Sequence, residues 1–152
     1  MKVSIGADHG GFQLKNELIK FISKNGYDVI DKGAYTFNPN DDYPDFAELV
    51  AKSVQNGESE KGIILCGSGV GASITASKFK NVRSAVCHDT YSASQGVEHD
   101  DMNVICLGAR IIGSTLAEKI TINFLKSKFI AESRFLRRLE KVQKIELKNF
   151  NN

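Results

Sequence analysis

The run Cys66-Gly67-Ser68-Gly69-Val70-Gly71-Ala72 brings a thiol, a hydroxyl and three glycines together at the end of an apolar stretch and the start of a helical pattern. Glycines let the backbone close on a ligand, and free N–H groups at a helix start attract negative charge. A phosphate or a developing oxyanion is the natural guest. The same helix start favours the thiolate form of Cys66, as nucleophile or general base. The competing reading makes Cys66 a small core residue and the loop a tight turn that binds nothing. Gly67, Gly69 and Ala72 also satisfy the G-x-G-x-x-A dinucleotide fingerprint, with Asp89 a suitable distance downstream. The loop follows the third expected strand rather than the first, and no second domain is present to hold a substrate. Both facts weigh against a nicotinamide cofactor.

Other groups join this one. Asp8-His9-Gly10-Gly11 stands at the end of the first expected strand, and His99, in Glu98-His99-Asp100-Asp101, in the polar segment before the fifth. Placed near the sheet edge that carries Cys66, His9 and His99 point to acid–base work; His88 receives no role. Cys87 and Cys106 are expected at equivalent strand ends without a glycine loop, where a core role is preferred. The three cysteines have no CxxC spacing, which argues against a disulfide framework and for a reducing compartment. A metal site joining them is disfavoured, because structural zinc ligands usually come in close pairs. Arg134 and Arg138 are four apart, share a helix face and could clamp a phosphate. The alternative there is a solvated basic face.

The elements that must position these groups alternate. Val3 to Ala7, Tyr27 to Ile30, Gly62 to Cys66, Val82 to Val86 and Asn103 to Gly108 read as strands. Helical spacing falls between them: Phe12 to Ile22, Phe46 to Val54, a helix through Ile74 and Phe79, a short one from Tyr91 to Gly96, and a long one from Leu116 to Phe129. A last amphipathic helix spans about 132–148. Gly33 to Asp42 is rich in turn residues. The pattern predicts an α/β, three-layer Rossmann-like fold with a five-stranded parallel sheet and helices on both faces, as one domain over 1–152. Ligands of such sheets sit beyond the carboxyl ends of the strands.

Of 152 residues, 41% are hydrophobic and 25% charged, with a net charge of +2. That excludes disorder and gives no field for nucleic acid or an acidic membrane. No apolar run reaches the roughly 18 residues of a membrane span. The opening Met1 to Asp8 does not read as a secretory leader, so a cytoplasmic protein is expected.

Taken in order, Gly6 to Gly11, Asp42-Tyr43-Pro44-Asp45, Gly62 to Gly71, His99 to Val104 and Leu107 to Gly113 resemble the ribose-5-phosphate isomerase B family across nearly the whole chain. The resemblance implies interconversion of D-ribose 5-phosphate and D-ribulose 5-phosphate through an enediol(ate), a pentose phosphate step without metal or other cofactor. It makes Cys66 the base between C2 and C1, with the amides of Gly67, Ser68, Gly69, Val70 and Gly71 and the Ser68 hydroxyl stabilising the enediolate. His99 would assist ring opening, Asp8, His9 and Tyr43 would line the sugar site, and Arg110, Arg134, Arg138 and His9 would bind phosphate. It further implies a homodimer or tetramer with sites built from both subunits, the last helix packing on the partner. Three positions depart from the family pattern: Ser68 for threonine, Asp100 for a substrate-binding asparagine, and Phe135 for the histidine after Arg134. The competing readings are an allose 6-phosphate or galactose 6-phosphate isomerase, a non-catalytic nucleotide- or phosphate-binding module, and a receiver domain. The last would need an aspartate where Cys66 stands.

Overall fold

The computed structural model describes residues 1–150. Its elements run β1 (Lys2–Ala7), α1 (Phe12–Lys24), β2 (Asp28–Asp31), α2 (Tyr43–Gln55), β3 (Lys61–Cys66), α3 (Val70–Ala76), β4 (Ser84–Val86), α4 (Thr90–Asp100), β5 (Val104–Gly108), α5 (Ser114–Lys126) and α6 (Ser133–Phe150). Each boundary has a local cause. Pro44 sits in the first turn of α2, where its missing N–H costs nothing. Asp89 caps α4 by accepting the Ser92 N–H at 2.7 Å. Gly69, at φ +82°, takes the left-handed conformation that opens α3.

All strand pairs are parallel and the sheet order is β2-β1-β3-β5-β4. The apolar runs of β3 and β5 lie centrally, buried on both faces, as parallel strands require. The shorter, half-buried β4 takes an edge. Alternation along β3 divides the core. Ile63 and Leu65 face the layer of α1, α4 and α5, with Leu18, Val97 and Phe124. Ile64 and Cys66 face α2 and α3, with Val50 and Ala72. The expected three-layer α/β architecture is therefore the one observed. A buried ion pair, Lys15 Nζ on both Asp31 carboxylate oxygens at 2.7 and 2.8 Å, ties α1 to β2. Among the described residues no helix is long and apolar enough to cross a membrane.

Several local expectations change: the third helix, expected to run through Phe79, ends at Ala76. The helix expected to stop at Gly96 continues to Asp100 and ends on Asp101, in the left-handed conformation. A Cβ at Gly96 would lie 3.0 Å from Met102 Cε, so this glycine serves a close contact rather than a stop. The fifth helix ends at Lys126 rather than Phe129, and the last runs to Phe150. Cys106 lies within β5, opposite Ile64, rather than at a strand end.

Candidate active site

The chain turns one way from β1 to β2 and the other way from β3 onward, so the β1–α1 and β3–α3 loops meet at a topological switch point. They touch: a Cβ at Gly10 would lie 3.0 Å from the Gly67 nitrogen. Strand β5 supplies the third wall. Ala109 N–H donates to the Cys66 carbonyl at 2.9 Å and Arg110 N–H to that of Gly67 at 3.1 Å. His88 Nε2 accepts the Gly108 N–H at 2.9 Å, which anchors the end of β5 to the β4–α4 connection.

Within these walls lies a cleft of about 300 Å³ lined by Asp8, Tyr43, Cys66, Gly67, Ser68, Gly71, Arg110 and Ile111. That volume is at the lower end for small-molecule sites. Seven of those eight residues are sequence-stated candidates; Ile111 is the addition. Cys66 is only 5% exposed, yet it borders the cleft, and its Sγ accepts the Gly69 N–H at 3.0 Å. Ser68 Oγ accepts the Val70 N–H at 3.3 Å. Gly71 and Ala72, in the first turn of α3, carry N–H groups with no intrahelical carbonyl to meet. One backbone donor, the Gly69 N–H, thus reaches the sulfur, and a contact of that kind favours an anion.

Glycine is required at 71 because Tyr43 closes on it. A Cβ there would fall 2.5 Å from Tyr43 Cζ and 2.9 Å from its hydroxyl oxygen. Gly71→Ala is expected to push the ring out of the cleft and lower kcat/KM about tenfold, near 1.4 kcal/mol. Thermal unfolding should change little, because Tyr43 is largely exposed and can swing outward. Steady-state kinetics beside a melting curve check this.

Asp8 is buried, accepts the Gly11 N–H at 3.2 Å, and has its carboxyl pushed above the usual range by burial. His9 borders a different depression, about 640 Å³ in volume, beside α1. A second depression of about 640 Å³ lies at the opposite edge of the sheet around Lys61, Asp101 and Asn103. Burial lowers the Lys61 amine to about 8, while its Nζ caps α5 through the Phe124 and Ser127 carbonyls. Neither larger depression reaches the sulfur.

The remaining candidates lie elsewhere. His99 was expected near the edge that carries Cys66; it sits instead in the last turn of α4. That helix starts beside Gly108 and ends beside Arg83, where Asp101 pairs with the guanidinium at 2.6 Å. Eleven residues of helix span about 16 Å, so His99 belongs to the amino edge of the sheet. Its ring stacks on Phe135, with centroids 4.0 Å apart, and its Nδ1 lies 2.8 Å from Gln95 Nε2. Phe135, 1% exposed, fixes α6 against α4, and Arg134 Cζ lies 4.4 Å from the same ring. Asp100, Arg134 and Arg138 are exposed. One chain therefore keeps the sulfur with its glycine loop at one edge of the sheet and His99 with the basic start of α6 at the other.

Burial pushes the Cys87 thiol up to about 11 and that of Cys106 higher still, as for core residues. Among the described residues no three metal-ligating side chains converge. Sequence reasoning missed Asp41, Gln95 and Ile111. Ile111 lies within the matched stretch Leu107 to Gly113, whereas only proximity across the fold identifies Asp41 and Gln95.

A family model described as Ribose/Galactose Isomerase matches residues 3–142. Ribose-5-phosphate isomerase B of Escherichia coli (strain K12) is 40% identical over 145 residues, covering 95% of this chain and 96% of that protein. The solved structure of Clostridium thermocellum ribose-5-phosphate isomerase B is 44% identical and superposes with a TM-score of 0.93, covering 97% of this chain and 99% of that one. The Mycoplasma genitalium enzyme with bound ribulose-5-phosphate is 36% identical with a TM-score of 0.92, covering 97% of each chain.

Proposed function

Since the chain belongs to the ribose/galactose isomerase family, and is thus a sugar-phosphate isomerase of the aldose–ketose type, we propose that it interconverts D-ribose 5-phosphate and D-ribulose 5-phosphate through a cis-enediolate. The observation that carries this reading is the Gly69 N–H on Cys66 Sγ, inside a cleft that Ser68, Gly71, Tyr43 and Asp8 share. His99 assists opening of the furanose. Cys66 then takes the proton from C2 and, after exchange with solvent, delivers a proton to C1. As the proton leaves, negative charge grows on the sugar oxygen, and the N–H groups of Gly67 to Gly71 with the Ser68 hydroxyl neutralise it. Removing one such donor typically costs about 2.7–4 kcal/mol of barrier. Dipoles fixed in advance stabilise that charge without a metal cation.

Arg110, Arg134, Arg138 and His9 hold the phosphate, and binding energy from that remote group serves to orient the reacting carbons. His99 and the arginines of α6 reach the Cys66 cleft from a second copy of the chain. The exposed apolar side chains of α6, Val142, Ile145 and Leu147 among them, suit its packing on that copy. A six-carbon aldose phosphate, such as allose 6-phosphate, is the second reading. Phe135, against both His99 and Arg134 where the family pattern has histidine, is the feature that bears on that choice.

A coupled assay comparing ribose 5-phosphate with allose 6-phosphate, with and without chelator, tests the proposal. One carbon more or less is worth about 10- to 200-fold in kcat/KM. The pentose phosphate should win by that margin and chelator should change nothing. A six-carbon preference would replace the substrate, and chelator-sensitive turnover would overturn the metal-free mechanism.

A further inference from the structure

We propose that Asp41 is a positioning residue: one carboxylate oxygen holds both the backbone and the ring of His9, so that the imidazole stands as a cation whose Nε2–H is offered to the substrate phosphate. This rests on the sugar-phosphate reading and assigns a role to a residue outside the matched motifs. Asp41 Oδ1 accepts the His9 backbone N–H at 2.8 Å and lies 2.8 Å from Nδ1. The carboxylate side chain is only 10% exposed, and its Oδ2 is buried with no partner. A carboxylate so enclosed and half satisfied is costly unless its one partner carries the opposite charge. His9 is the group in salt-bridge range. With Nδ1–H directed at Asp41, the second ring N–H is directed outward, as binding an anion demands.

The charged groups around the ring are Asp8 on its own loop, Asp41 from the β2–α2 loop, and Glu17 and Lys20 from α1, which border the same depression. The Asp41 hydrogen bond raises the His9 ring above its ordinary value, and burial opposes it less strongly. The sign follows. The folded-state value lies above the unfolded one, so the interaction is complete below pH 6.5 and is lost as pH rises through the folded value.

Asp41→Asn keeps the shape and the acceptor for the backbone N–H but removes the charge. Above pH 6.5, where the raised wild-type ring keeps its proton longer than the variant's, Asp41→Asn should show KM for the pentose phosphate raised by up to about tenfold, the loss expected for one charge-assisted hydrogen bond, with kcat nearly unchanged. The difference should narrow as pH falls below 6.5 and the variant's ring gains its proton as well. Asp41→Glu should restore part of the loss. The NMR titration of the His9 ring should shift to lower pH in Asp41→Asn, and inorganic phosphate should perturb that ring in the wild type more than in the variant. A His9 titration unchanged by Asp41→Asn, or a fall in kcat alone at every pH, would overturn the proposal. The NMR arm needs no turnover. A chain that isomerises no pentose phosphate yet shows the shifted titration and weakened phosphate response would refute the substrate while supporting the role of Asp41.

Discussion

Cys66→Ala is expected to lower kcat for ribose 5-phosphate by about 10³- to 10⁴-fold, the upper range for removal of a general acid–base group. Binding of the sugar phosphate should persist. None of the groups assigned to the phosphate bonds the sulfur, although Arg110 shares its cleft, and the Gly69 turn is held by its own backbone conformation as well as by the Sγ contact. Alanine leaves only a small void, because Cys66 sits at the edge of the α2–α3 core cluster and already borders the cleft. Calorimetric titration of the variant with ribose 5-phosphate separates the two effects. A variant that still turns over at a tenth of the wild-type rate would remove the sulfur from the chemistry. One that no longer binds would make Cys66 a binding group instead.

Cys66 and His99 stand at opposite edges of the sheet. His99 lies about one α4 length from the carboxyl edge of its own sheet and travels with Phe135 and Arg134 as one packed unit. A cleft completed by a second copy therefore needs Cys66 from one chain and His99 from the other. Cys66→Ala and His99→Asn proteins should each be nearly inactive alone on the furanose form. Unfolded together and refolded as a mixture, they should regain about a quarter of wild-type activity. In a two-fold dimer half of the random pairs are mixed, and each mixed pair has one intact site of two. His99→Asn alone should act better on an open-chain analogue, which needs no ring opening. No recovery in the mixture would mean that each chain completes its own site.

Much of this could be read before any coordinates. The continuous apolar run Gly62 to Leu65 demands a strand covered on both faces, and it lies at the centre of the sheet. The same reasoning, applied to Val104 to Leu107, would have set β5 beside β3 and the weaker Ser84 to Val86 at the edge. Gly96 misled for a physical reason. Glycine in a helix costs only about 1 kcal/mol relative to alanine, and the Met102 side chain occupies the space that a Cβ would need. Stopping α4 there left His99 in a loop and hid its distance from Cys66. The cleft residues on strand ends were accessible from local pattern, because a parallel sheet fixes which edge they share. Asp41, Gln95 and the His99–Phe135 stack depend on how separate elements are set against one another, which no local spacing records.

Under the proposed function the Cys66 sulfur, held by the Gly69 N–H, moves a proton between adjacent carbons. Turnover of ribose 5-phosphate in D₂O, with deuterium at C1 of the ketose followed by NMR, tests it most directly. The wild type should place solvent deuterium at C1, and Cys66→Ala none above the uncatalysed background. Labelled product from the alanine variant at the wild-type rate would contradict it, as would wild-type turnover that never admits deuterium, the mark of a hydride passing directly between the two carbons.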